Sequence, residues 1–288
     1  VGMVSLGCSK NRVDSEQILG MLKENGFEIT NDEAQAEVII VNTCGFINPA
    51  KEESIGAILE MAQHKKGGNC RLLVVTGCLS QRYPKELREE LPEVDILWGV
   101  KDKDGLVRKI TEAVGGSYKC CSEDARIITT PSYSAYLRIA DGCDNRCTYC
   151  AIPLIRGGKV SIPMEKLVKE AQRLADSGVK ELTLIAQDTS AYGTDLYGKP
   201  MLAELLRRIA KIDKLHWIRV LYSYPNTIDE ELVDTMVADP KIVNYIDIPI
   251  QHIDPDMLKA MNRHGSAEHI REITDYIRRT APDFILRT

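Results

Sequence analysis

Short aliphatic runs recur along the chain. Each is followed by a longer stretch with apolar residues at helical spacing. Val1–Leu6 reads as a strand, and residues 12–25 carry Val13, Ile18, Leu19 and Leu22 on one helical face before Gly26 ends the helix. Glu37–Thr43 (EVIIVNT) is continuous and β-branched, as a parallel strand buried on both faces would be. A helix with Pro49 near its start and Ile55, Ile58, Leu59 and Met61 follows. Then come the strand Leu72–Thr76, a helix beginning over Pro84–Leu91, and a fourth strand at Val94–Trp98. This order predicts a Rossmann-like parallel α/β sheet covered by helices.

Residues 115–134 (GGSYKCCSEDARIITTPSYS) interrupt the pattern and read as a linker. The alternation then restarts. Strands are predicted at 135–140, 181–186, 216–222, 243–250 and 284–287, and helices near 165–177, 201–212, 228–238, 256–263 and 267–280. The expected architecture is therefore an α/β domain over 1–114, a linker over 115–134, and a partial (β/α) barrel over 135–288. About five strand–helix units are too few to close an eight-fold barrel. The chain stops on a strand, so the natural protein is expected to continue.

Composition narrows the possibilities only a little. The 288 residues are 44% hydrophobic and 27% charged with a net charge of −5, the profile of an ordinary globular protein without a basic sheath for nucleic acid. No apolar run is long enough for a membrane helix, and VGMVSLG does not resemble a signal peptide. A cytoplasmic location with reduced thiols is expected.

The cysteines change the picture most. Cys8, Cys44 and Cys78 each follow a predicted strand, in LGCSKN, VNTCGF and TGCLSQ. Parallel strands end on one edge of a sheet, so these thiols are expected to share a crevice. Three buried cysteines acting as small apolar groups are the alternative. Cys143, Cys147 and Cys150 lie within DGCDNRCTYC, after another strand. A loop of this spacing lets three thiolates wrap one metal centre. Structural zinc and iron–sulfur clusters usually take four ligands, and three would leave one coordination position open. Cys70, Cys120 and Cys121 are read as structural.

With CxxxCxxC after a barrel strand and Tyr149 just before its last cysteine, the chain resembles the radical S-adenosylmethionine (SAM) enzymes. Together with LGCSKNRVDSE, NTCGFI and GCLSQR, it resembles their methylthiotransferase family over nearly all its length. AQDTSAYG, RVLYSYP and YIDIPIQH resemble the branch that methylthiolates the β-carbon of an aspartate in small-subunit ribosomal protein twelve. The tRNA-modifying branch and a non-catalytic iron–sulfur redox protein are the alternatives.

The resemblance implies two [4Fe–4S] clusters. One, on Cys143, Cys147 and Cys150, would bind SAM and cleave it to a 5′-deoxyadenosyl radical. The other, on Cys8, Cys44 and Cys78, would hold the sulfur to be transferred. An external electron donor such as flavodoxin or ferredoxin is implied, with the ribosomal protein as partner rather than tRNA. Tyr149, Gln187, Asp188 and Arg219 are the expected SAM-binding residues. Arg138 and Arg219, charged residues inside strands, can equally form internal pairs. His252 reads as structural, and Lys10 and Asn11 as shaping the first thiol loop. The family usually has arginine after the serine of GGKVSIPME, where this chain has Ile162. It also usually has a β-rich carboxy-terminal domain, which is not found within these residues.

Overall fold

Val38–Thr43 is buried at every residue, and its two faces meet different helices. The computed structural model describes residues 1–288 and divides into two compact units. The first comprises Val1–Thr129 with Leu154–Arg156, and the second Thr130–Pro153 with Gly157–Thr288.

In the first unit the order is β1 (Gly2–Ser5), α1 (Ser9–Glu24), β2 (Val38–Thr43), α2 (Asn48–Ala62), α3 (His64–Gly67), β3 (Leu72–Gly77), α4 (Cys78–Arg82), α5 (Pro84–Glu90), β4 (Ile96–Leu97) and α6 (Lys103–Ala113). The four strands pair in chain order, all parallel. Period-two alternation splits their side chains between two cores. Ile39, Val41, Leu73 and Val75 pack with Ile58 and Met61 of α2 and Leu87 of α5. Val38, Ile40, Val74 and Ile96 pack with Ile18 and Leu22 of α1 and with Leu106, Val107 and Ile110 of α6. Helix α6 was not expected. Its signal is Asp102, whose side chain accepts from the Gly105 N–H, followed by those three apolar residues at helical spacing.

Part of the expected linker is instead docked on this unit. The Arg126 guanidinium donates twice to Glu16 of α1, at 2.9 and 2.7 Å, and Thr129 donates to the other carboxylate oxygen through its N–H and its hydroxyl. Both members of the ion pair are almost wholly buried. Backbone of Ala125 and Arg126 lies where a Cβ on Gly20 would be. The polar composition that reads as a linker supplies the partners a buried carboxylate requires.

The second unit contains β5 (Ser134–Arg138), β6 (Ala140–Asp141), β7 (Val160–Ser161), α8 (Met164–Asp176), β8 (Glu181–Ile185), α9 (Thr194–Tyr197), α10 (Leu202–Ala210), β9 (Trp217–Val220), α11 (Glu230–Ala238), β10 (Tyr245–Asp247), α12 (Pro255–Ala260), α13 (Ala267–Thr280) and β11 (Ile285–Arg287). The short helix α7 (Ile152–Ile155) precedes β7. Strands β5, β8 and β9 form a parallel sheet, and β10 pairs in parallel with β11. An isolated parallel bridge, Ile218 to Ile242, and the Ser223 N–H to Asp247 O bond at 3.0 Å connect the two. This is the partial barrel expected. The predicted strand 135–140 is broken at Ile139, however, and Ala140–Asp141 turns away to pair antiparallel with Val160–Ser161. That hairpin brackets the CxxxCxxC loop. No helix in the chain is long and apolar enough to cross a membrane.

Candidate functional site

All nine cysteines are free. Cys8, three residues after β1, holds the N-cap position of α1 without a side-chain capping bond. Cys44 follows β2, and Cys78 follows β3 as the first residue of α4. One side chain ties the three loops together. The Asn11 amide donates to the Leu6 carbonyl at 3.0 Å and to the Thr43 carbonyl at 2.8 Å, and its oxygen lies 3.5 Å from the Cys78 sulfur. Asn11 is itself buried, and Asn42 donates to its backbone carbonyl at 2.9 Å. Ser54 of α2 bonds both the N–H and the carbonyl of Cys44. Gly7 has φ +87°, and a Cβ there would stand 2.8 Å from the Cys44 Cβ. Only glycine permits that approach.

Cys78 is buried and Cys8 is exposed. Burial pushes the Cys78 thiol up to about 11. The nearby Arg156 guanidinium opposes the rise, while Cys8 and Cys44 add to it. In the second unit, burial likewise raises the thiols of Cys143 and Cys150. Cys150 adds to the rise at Cys143, and Cys147 to that at Cys150. Metal capture needs thiolates, so loading either trio releases protons. No three His, Cys, Asp or Glu side chains close around a point that could hold a single metal ion. Each trio consists of three thiols, soft donors of the kind that iron–sulfur clusters take.

The loop 143–150 is held from several sides. The Cys143 N–H donates to the Gly157 carbonyl at 3.1 Å, and the Asn145 amide to Asp188 at 3.0 Å. The turn after α12 clamps the far side. The Thr148 N–H donates to the Met261 carbonyl at 3.0 Å, and the Asn262 amide to the Arg146 carbonyl at 2.9 Å. Arg263 reaches both Tyr149 and Cys147. This clamp is absent from the sequence reading, because more than a hundred residues separate its halves.

Other expected residues fall as follows. Asp188 is buried. Besides Asn145 it accepts from the Ser190 hydroxyl and the Ala191 N–H, so it positions the loop. Gln187 donates to Asp141 at 3.2 Å, and its side-chain oxygen is buried without a partner. Tyr149 is 49% exposed. Arg219, an expected cofactor contact, has its Nε on Glu181 at 2.8 Å. Glu181 begins β8, at the edge opposite the cysteine loop, so the arginine takes its internal-pair role. Arg138 lies 3.8 Å from Asp141. His252 accepts from the Asp254 N–H, a local turn contact. Ile162 occupies the usual arginine position with its backbone fully engaged, donating to Ile139 and accepting from the Tyr192 hydroxyl.

Solved structures share this fold. The chain superposes with TM-score 0.67 and 14% identity on the radical SAM methyltransferase TsrM from Kitasatospora setae, solved with cobalamin and a [4Fe–4S] cluster. The match covers 98% of this chain and 67% of that one. With the cobalamin-dependent SAM radical enzyme OxsB it reaches TM-score 0.67 at 14% identity, over 99% of this chain and 48% of that one. Residues 137–286 match the radical SAM superfamily, and residues 1–99 match a family described as uncharacterized protein family UPF0004. A parallel barrel of this kind, with three thiols in a loop after its first strand, defines a radical SAM enzyme.

Sequence relatives narrow the class. Ribosomal protein uS12 methylthiotransferase RimO of Lachnoclostridium phytofermentans is 50% identical over 99% of this chain and 67% of its own length. RimO of Caldicellulosiruptor saccharolyticus is also 50% identical, over 100% of this chain and 68% of its own. The chain belongs to the RimO family of SAM-dependent methylthiotransferases, which are transferases. It spans about two thirds of the length of these relatives. Membership implies a [4Fe–4S] cluster and SAM as cofactors.

Proposed function

We propose that the chain methylthiolates ribosomal protein uS12. Cys143, Cys147 and Cys150 would hold the cluster that binds SAM, and Cys8, Cys44 and Cys78 an auxiliary cluster. The observation that carries the second assignment is the Asn11 staple, which gathers all three strand-end loops in one place. When bound, the cofactors supply the radical and sulfur chemistry that no side chain can. The chain's own residues bind and orient. Asn11, Asn42 and Ser54 fix the three loops of the first trio. Asp188, Asn145, Arg263 and the turn at 261–263 fix the second. Gln187, with an unpartnered oxygen beside Asp141, is the side chain best placed to take a polar group of SAM. Tyr149 supplies an exposed ring in the same loop. An external one-electron donor such as flavodoxin or ferredoxin completes the scheme.

The test uses anaerobically reconstituted protein, wild type and a Cys143/Cys147/Cys150→Ala variant. About eight irons per chain are expected, falling to about four in the variant. Wild type should add a methylthio group to uS12, seen as a mass increase. About four irons in both proteins would overturn the two-cluster assignment. Modification of tRNA in place of uS12 would overturn the substrate.

A further inference from the structure

Arg156 is not among the residues any sequence motif singled out. It follows α7, six residues beyond Cys150, yet Leu154–Arg156 belong to the first unit. Its side chain is 1% exposed. Nη2 donates to Asp14 at 2.8 Å and to the Asn11 side-chain oxygen at 2.9 Å, and it lies 3.8 Å from the Cys78 sulfur. Lys103 approaches the other oxygen of Asp14 at 2.9 Å. One carboxylate thus faces two cations, and one of them also lies beside a thiol. Burying a guanidinium is costly unless anions offset it. Asp14 is one such anion, and a thiolate at Cys78 would stand within reach of the same guanidinium nitrogen.

We infer that Arg156 is a positioning residue for the auxiliary cluster: it braces Asn11 against Cys78 and supplies a fixed positive charge beside that cluster. The inference rests on the reading of Cys8, Cys44 and Cys78 as cluster ligands. A cluster on three thiolates is net negative and becomes more so on reduction. A fixed cation at hydrogen-bonding range favours the reduced state and so raises the reduction potential. Asp14, the counter-charge, works in the opposite direction. Arg156, which belongs to the first unit, therefore brings a charge to the thiol trio of its own unit.

The experiment uses the full chain carrying Cys143/Cys147/Cys150→Ala, so that only the first trio can load. Iron, sulfide and the midpoint potential are measured by assay and by electron paramagnetic resonance during a redox titration. Arg156→Met should shift the potential downward and speed iron loss to a chelator several-fold, and Arg156→Lys should restore most of both. Asp14→Asn should shift the potential upward. A potential unmoved by both Arg156→Met and Asp14→Asn would overturn the inference. If Arg156→Met fails to fold, Asp14→Asn decides alone, and an unmoved potential sinks the idea. If the background protein itself binds no iron and sulfide, the auxiliary-cluster reading fails first and this one with it.

Discussion

Arg263 donates from Nη1 to the Tyr149 hydroxyl oxygen at 3.0 Å. Its guanidinium also stands 4.4 Å from the centre of the Tyr224 ring, bonds the Pro249 carbonyl, and lies 3.9 Å from the Cys147 sulfur. One cation thus ties the middle of the cysteine loop to β-strand ends and to the turn after α12. Replacing Arg263 with alanine removes all four contacts. We expect iron per reconstituted chain to fall from about eight towards about four. The loss of folding stability should be about 0.5–2 kcal/mol, the scale of one cation–π contact. Iron analysis beside a urea titration separates the two effects, and unchanged iron would show that the clamp is dispensable.

Asn11 serves the other trio. Asn11→Ala leaves the Leu6 and Thr43 carbonyls without their donor. An unsatisfied buried group costs about 1–3 kcal/mol, and with the Thr43 carbonyl buried and the Leu6 carbonyl only partly so, a loss of roughly 2–4 kcal/mol is expected. Asn11→Asp should be worse, because it turns an acceptor towards two carbonyls. Urea midpoints followed by circular dichroism check both variants. A change within about 0.5 kcal/mol would be that of an ordinary surface site and would refute the staple.

Gly142 has φ +71°, and a Cβ there would overlap the Gly158 carbonyl oxygen. An alanine must therefore open the β6–β7 hairpin at the root of the cysteine loop, in addition to the roughly 1–2 kcal/mol that an L-residue costs in the left-handed region. The expected outcome is loss of the second trio's iron with Cys8, Cys44 and Cys78 still loaded. A visible spectrum and iron count of Gly142→Ala measure it.

Asp195 governs an acid-side effect. Burial works against its ionisation, but bonds from the Ser161 N–H and hydroxyl and the charge of Lys159 outweigh it, and its carboxyl lies below the ordinary value. A lowered folded value means stability that is present above the unfolded value of about 3.9 and lost as pH falls through the folded one. Asp195→Asn should be slightly less stable than wild type at neutral pH, and the gap should close below about pH 4. Asp195 is near the surface, so the difference should stay within about 1 kcal/mol. Urea midpoints across that range test it, and a gap independent of pH would contradict the assignment.

The places of Cys8, Cys44 and Cys78 after three strands, and of Cys143, Cys147 and Cys150 in one loop after another, were legible because strands announce themselves locally. EVIIVNT and LLVVT need no distant information to be read as buried parallel strands. Arg219 shows the limit. A charged residue between apolar ones in a strand must find a partner, but its sequence does not say whether that is a ligand or Glu181. The segment at 125–129 shows the same from the other side. Its polar residues read as solvent-exposed until Glu16, more than a hundred residues earlier, is seen to need them.

The sequence by itself determined the order of strands and helices, the edge of each sheet where the thiols gather, and the three-cysteine loop. All of these follow from period, β-branching and chain position, which are local properties. Only the tertiary structure decided that Arg156 leaves the loop of Cys150 to stand beside Cys78, and that Arg263 closes on Tyr149. A long charged side chain carries no local signature of its partner. Its place is set by which buried anion, carbonyl or ring the folded chain brings within reach, because burial without such a partner is too costly.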